Sequence, residues 1–206
     1  MGSREIRVGA DRLERWVAGF RERHGPPTEL LESDVLTLRA PDGATAVLHA
    51  TYPPLSGAPT PAALAANAGA DRVVAVLLVR RGGYACAVVH GDRVTASKVG
   101  SRYVQGRTAA GGWSQQRFAR RREGQAKQLL GDVVEVAQRV LLPAGADVLA
   151  TGGDRALVTD VLNDTRLASL RSLDAGPYLE VGDPKSDVVK ALPDRLRAVR
   201  ITLTEP

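Results

Sequence analysis

A single cysteine, Cys86, in 206 residues leaves no partner for an internal disulfide and no thiolate set for a zinc cage. It sits in an apolar, alternating segment and is expected to be a buried, inert thiol. The three histidines, His24, His49 and His90, show neither HxxxH nor HxH spacing and no carboxylate pattern beside them. Neither a metal site nor a histidine-driven triad is therefore expected, and the chemistry is expected to need no cofactor. No apolar run approaches the roughly 20 residues that a bilayer span requires. The N-terminus also lacks a signal-peptide h-region, so the expectation is a cytoplasmic protein with no membrane partner. No internal repeat is present.

What is present is ordinary in bulk and unusual in one place. Hydrophobic residues at 44% and charged residues at 25% suit a soluble globular fold with a substantial core. The whole chain carries +5, yet between Lys98 and Lys127 eight basic residues face one acid, Glu123, a local net charge of +7. The remaining residues sum to −2, so the basic character is local, as a phosphate-facing surface requires.

The order of elements reads as a mixed α/β fold. Leu13, Trp16, Val17 and Phe20 recur at helical spacing from about Ala10 to His24, and Gly25-Pro26-Pro27 stops that helix. Val35 to Leu38 and Thr45 to Ala50 read as strands around a Pro41-Asp42-Gly43 turn. The Pro- and Ala-rich stretch from Pro53 to Gly69 reads as a linker with one short helix. Val73 to Val79, Tyr84 to Val89 and Arg93 to about Val104 then form an antiparallel meander joined at Arg81-Gly82-Gly83 and Gly91-Asp92. A glycine-rich loop, Gln105 to Trp113, is expected to be exposed.

From Ser114 the spacing predicts a helix of about seven turns, with Phe118, Ala126, Leu129, Val133, Ala137 and Val140 on one side and Pro143 at its close. Arg117, Arg120, Arg121 and Lys127 fall on the opposite side, while Arg122 falls in the apolar sector, where the helix start is expected to overhang the sheet. Asp147 to Thr151 reads as a buried strand, Asp154 to Leu162 as a helix and Ala198 to Thr204 as a last strand. Thr151-Gly152-Gly153-Asp154 has neither the GxGxxG nor the P-loop arrangement and is expected to be a strand-to-helix turn with Asp154 as N-cap.

The loop and the helix after it carry the chemistry. A glutamine amide does not ionise near neutrality, but it can both accept from and donate to one water at fixed angles while neighbouring backbone N–H groups stabilise an oxyanion. Gly111 and Gly112 give the backbone freedom and a slim profile for entering a narrow cavity. Arginines near a helix N-terminus oppose the macrodipole, at a cost of a few tenths of a kcal/mol each, roughly, so they serve something other than the helix. Trp113, in a glycine-rich loop, is expected to contact RNA rather than the core, and Tyr103 either covers the core or stacks on a base, a contact of about 1–3 kcal/mol.

The string Gly111-Gly112-Trp113-Ser114-Gln115-Gln116-Arg117-Phe118-Ala119-Arg120-Arg121-Arg122 resembles the central domain of eukaryotic and archaeal class-I peptide release factors, whose GGQ loop precedes a similar Arg-Phe-Ala-Arg helix start. It resembles more closely the Vms-like release-factor domain of ribosome quality control, whose pattern is GxxQ, here Gly112-Trp113-Ser114-Gln115. The resemblance spans about Val73 to Thr204 in order of elements, with its specific signal in some twenty residues around the loop. Trp113 stands where the GGQ form has its glutamine, which favours the quality-control family and leaves Gln116 as a rival to Gln115.

The resemblance implies a mixed, largely antiparallel sheet packed with helices, and a single domain over 1–206. Residues 1–70 would supply an N-terminal helix, hairpin and linker, and 71–206 the catalytic core. It implies hydrolysis of peptidyl-tRNA on stalled large ribosomal subunits, with Gln115 or Gln116 positioning water and Gly111 and Gly112 giving access. Arg102, Tyr103, Arg107, Trp113, Arg117, Arg120, Arg121, Arg122 and Lys127 would contact rRNA or tRNA, and the protein is expected to be a monomer off the ribosome. A non-catalytic rescue factor and an endonuclease cutting the tRNA acceptor end remain open alternatives.

Overall fold

The computed structural model describes residues 2–101 and 128–206. They divide into two compact units, residues 1–71 with 192–206, and residues 72–191. Among the described residues the strands form two five-stranded sheets, one in each unit. Helices accompany both sheets, which makes the fold mixed α/β with largely antiparallel pairing, in agreement with the fold class read from the sequence.

In the first unit the chain runs through β1 (Ser3–Gly9), α1 (Leu13–His24), β2 (Thr28–Glu32), β3 (Val35–Arg39), β4 (Thr45–His49) and α2 (Pro61–Gly69). The order across the sheet is β1-β10-β4-β3-β2, antiparallel throughout, with β10 (Ala198–Thr204) arriving from the far end of the sequence. Alternation decides the faces: Leu36 and Leu38, Ala46 and Leu48, and Val199, Ile201 and Leu203 point to one side and are buried. Leu13, Val17 and Phe20 of α1 close over them, with Trp16 stacked on Phe20 at a centroid distance of 5.8 Å.

The helix stop falls at Gly25, at φ +82°, and the β3–β4 turn places Gly43 at φ +94°. Asp42 in that turn accepts from the Ala44 N–H at 3.0 Å and lies 2.8 Å from His24 Nδ1, and both contacts hold its carboxyl below the usual range. The stretch read as a linker with one short helix forms such a helix, α2, and contributes to the core. Thr60 caps α2 by accepting from the Ala63 N–H, Pro61 opens the helix, and Leu64 and Ala68 are buried. Asn67 exchanges amide hydrogen bonds with the Tyr52 backbone, and the Tyr52 hydroxyl donates to the Leu196 carbonyl at 2.9 Å, tying α7 (Leu192–Leu196) to this unit.

The second unit contains β5 (Val73–Arg80), β6 (Gly83–His90), β7 (Arg93–Ser101), the helical residues 128–140 (α3), β8 (Val148–Gly153) and α4 (Arg155–Leu162). α5 (Ala168–Arg171), β9 (Asp174–Leu179) and α6 (Ser186–Lys190) complete it. The strand order is β7-β6-β5-β8-β9, antiparallel from β5 to β7 and parallel from β5 through β8 to β9. β5 is buried from Val74 to Val79, on both faces and between two partners, which is why its sequence is continuously apolar. Ala75, Leu77 and Val79 of β5 with Tyr84, Cys86 and Val88 of β6 share a core with Leu129, Val133, Val136 and Ala137 of α3 and Val158 and Val161 of α4. The helical spacing seen from Leu129 onward thus covers this face.

Leu77 lies on the central strand with no exposed surface. Leu77→Ala is expected to lower unfolding free energy by about 2–5 kcal/mol in urea titrations, and a loss under about 1 kcal/mol would contradict the packing described.

Candidate nucleic-acid interface

The sequence-derived site falls between two anchored ends. Both candidate amides, Gln115 and Gln116, the glycines Gly111 and Gly112, Tyr103, Trp113 and the cations Arg102, Arg107, Arg117, Arg120, Arg121, Arg122 and Lys127 lie outside the described residues, as does the helix start predicted from Ser114. What the fold fixes is where the chain leaves and where it comes back. β7 runs in the same direction as β5, and Ser101 pairs with Gly83, which pairs with Arg80. Ser101 therefore stands at the carboxyl edge of the parallel strands, about 10 Å, or two inter-strand spacings, from β5.

The return is at the opposite edge. The Asp147 N–H donates to the Val73 carbonyl at 2.9 Å, and the Asp147 carboxylate accepts from the Val73 N–H at 2.8 Å. Between the two, α3 lies against the sheet through its buried stripe.

Close backbone packing marks the departure point. The Tyr84 ring occupies the space a Cβ on Gly100 would fill, and a Cβ on Gly83 would stand 2.8 Å from the Gly100 carbonyl oxygen. Both glycines are needed for the last pairs of β6 and β7 to close.

The neighbouring turn, Thr151-Gly152-Gly153-Asp154, forms as expected. Asp154 Oδ1 accepts from the Ala156 and Leu157 N–H groups at 3.1 and 3.3 Å, so the N-terminus of α4 is capped by its own carboxylate. Gly153 has φ +99°, and a Cβ there would collide with the Val79 carbonyl oxygen and stand 3.0 Å from Arg80 Cγ. A Cβ on Gly152 would run into the Leu179 carbonyl. The glycine pair thus lets β8 pack between β5 and β9 while the Arg80 side chain passes over it. Arg80 Nη1 then donates to the Val181 carbonyl at 2.6 Å.

One assembly at this edge has little sequence signal. The Tyr178 hydroxyl donates to the Gly153 carbonyl at 2.7 Å, and the Arg155 guanidinium carbon sits 3.7 Å from the centre of the Tyr178 ring. The three residues meet only because β8 and β9 pair in parallel. The available hint was Arg155 directly after the N-cap, where a cation opposes the helix dipole.

Cys86 is buried and burial pushes its thiol up to about 12, so it holds no thiolate for nucleophilic attack near neutrality. His24 is engaged with Asp42, whereas His49 on β4 has its pKa lowered first by burial and then by Arg200. Among the described residues no three His, Cys, Asp or Glu side chains are grouped to hold a metal ion, and no helix is long and apolar enough to cross a membrane.

Gly153→Ala is expected to destabilise the fold by about 1–3 kcal/mol through strain at positive φ. Gly182→Ala, with no atom within 4 Å of the added carbon, should change stability by less than about 0.5 kcal/mol. Equal thermal shifts for the two variants would refute the close-approach role of Gly153.

Residues 72–202 match the family described as Actinobacteria/chloroflexi VLRF1 release factor. No curated protein matches the sequence. Among solved structures, the Vms1 mitochondrial localization core is similar at 12% identity and TM-score 0.48, covering 92% of this chain and 80% of that one. The archaeal translation termination factor aRF1 is similar at 14% identity and TM-score 0.40, covering 94% of this chain, which spans 66% of that factor's length.

Proposed function

The chain belongs to the Actinobacteria/chloroflexi VLRF1 release factor family, and on that premise we propose that it is a peptidyl-tRNA hydrolase acting on stalled large ribosomal subunits. The observation that carries the reading is that the matched region, residues 72–202, encloses the Gly112-Trp113-Ser114-Gln115 string and the arginine-rich run after it. Gln115 accepts from and donates to the attacking water, holding it in line with the ester carbonyl, and adjacent backbone N–H groups stabilise the developing oxyanion. Gly111 and Gly112 admit the loop to the space around the acceptor end.

Arg117, Arg120 and Arg121, with Arg102, Arg107, Arg122 and Lys127, neutralise rRNA or tRNA phosphates, and Trp113 and Tyr103 stack on exposed bases. Water is activated by position rather than by a strong base, so the ribosome and the tRNA complete the site. The chemistry draws on no cofactor and no metal. Buried Cys86 is unsuited to the nucleophile's role. The protein works in the cytoplasm, as a monomer until it meets its partners: the large subunit, its rRNA and peptidyl-tRNA.

Large subunits carrying peptidyl-tRNA provide the test. Gln115→Ala is expected to slow peptide release by on the order of 10²–10³, the usual effect of losing one preorganised donor, and more than Gln116→Ala does. Release at the wild-type rate would remove Gln115 from the chemistry. Release that leaves a shortened tRNA 3′ end would replace ester hydrolysis with endonuclease cleavage. Binding without any release would leave a non-catalytic rescue factor.

A further inference from the structure

Three arginines at the carboxyl edge of the second sheet have no part in the chemistry above. Arg80, Arg81 and Arg155 are all exposed, and among the described residues none of them pairs with a carboxylate. Arg80 ends β5 and Arg81 follows it in the hairpin turn. Arg155 opens α4, a position where a cation opposes the helix dipole, so helix stability does not account for it.

Two of the three are held in place. The Arg155 guanidinium lies 3.7 Å from the centre of the Tyr178 ring, and that ring is itself anchored by its hydroxyl on the Gly153 carbonyl at 2.7 Å. The contact with the ring restrains the guanidinium of this exposed side chain. Arg80 runs across Gly153 and uses Nη1 on the Val181 carbonyl, which leaves its other N–H groups for a ligand. A fixed guanidinium loses little rotamer freedom on binding and matches two oxygens of one phosphate at once.

We infer that Arg80, Arg81 and Arg155 form a phosphodiester-binding edge that grips the sugar-phosphate backbone of RNA beside the point where β7 delivers the chain toward the GxxQ loop. The choice of RNA as ligand rests on the proposed function, and the location rests on the register. Arg80 shares a row with Gly83 and Ser101, about 10 Å from β7. Asp154 is occupied in capping α4. Among the described residues, Asp183, whose Oδ1 lies near the hairpin tip at Gly82, and Glu180 are exposed acids at this edge, with Lys185 further along the chain. Asp183 opposes a phosphate near Arg81 and sets an upper limit on affinity.

The test is equilibrium binding of the full chain to purified large ribosomal subunits carrying peptidyl-tRNA, measured from about 50 to 200 mM salt. For R81E/R155E, which leaves the structural bond of Arg80 intact, affinity is expected to fall by at least about tenfold. The plot of log K against log salt should become shallower by about two units, near 0.9 for each phosphate that is no longer neutralised. Asp183→Asn should shift affinity the other way. Unchanged affinity and salt slope in R81E/R155E, in a protein whose circular dichroism and melting match wild type, would overturn the inference.

The two readings fail separately. Weaker binding by R81E/R155E with no peptide release by the wild type would sink the hydrolase and keep the edge. Release that depends on Gln115, with binding insensitive to these arginines, would do the reverse.

Discussion

The parallel pairing of β8 with β5 is the constraint on which the second unit depends. β5 offers six consecutive buried residues, Val74 to Val79, and needs a hydrogen-bonding partner on each side. The hairpin to β6 satisfies one side at once, since antiparallel partners need only a tight turn. β8 satisfies the other in the parallel sense, so the chain has to leave β7 at one edge of the sheet and enter β8 at the opposite edge. A helix across the face is the economical way to do that, and α3 supplies the stripe Leu129, Val133, Val136 and Ala137 that the sheet's Ala75, Leu77, Val79 and Cys86 require. Core packing therefore determines from which edge the segment carrying the candidate site departs.

At that edge backbone economy and charge meet. Gly83 and Gly100 allow β6 and β7 to close around Tyr84, while Gly152 and Gly153 allow β8 to fit between β5 and β9. The side chains that then cover the strand ends are arginines, Arg80 over Gly153 and Arg155 over Tyr178. Arg80 also holds the Val181 carbonyl, whereas Arg155 places a cation at a helix N-terminus whose dipole it opposes. The sequence concentrates a further +7 between Lys98 and Lys127. Both sets of cations lie within residues 72–202, the region that matches the release-factor family.

Local signals in the sequence are legible where one physical cause dominates. Leu13, Val17 and Phe20 announce α1 by their spacing, Gly25 announces its end by the backbone it adopts, and Asp154 announces the start of α4 through its cap. The alternation in β3 and β4 and the long apolar run of β5 are legible for the same reason. Strands with weak alternation are not. β1, Ser-Arg-Glu-Ile-Arg-Val-Gly, and β2, Thr-Glu-Leu-Leu-Glu, lie at the two edges of their sheet and bury little. β9 contains Gly176 and Pro177, residues that argue against a strand, and it is tolerated because it too is an edge. The partners of β10, β1 and β4, lie some 150 to 200 residues away in sequence, beyond any local pattern. The Ala-rich α2 lacks bulky residues, so a stretch that buries Leu64 and Ala68 reads as a linker with one short helix. Of the candidate site, the loop and its cations are legible only as a motif, whereas the Arg155–Tyr178 stack needs the parallel register to bring it together.

The central claim is that the neutral amide of Gln115 reaches the bond joining nascent peptide to tRNA. The most direct measurement is a cryo-electron microscopy map of the chain bound to a large ribosomal subunit with uncleaved peptidyl-tRNA in place. The account predicts that the Gln115 amide lies within one bridging water of the ester carbonyl, with the basic helix against rRNA or tRNA phosphates. A map in which Gln115 faces away from the acceptor end, or in which residues 102–127 make no contact with RNA, would contradict it.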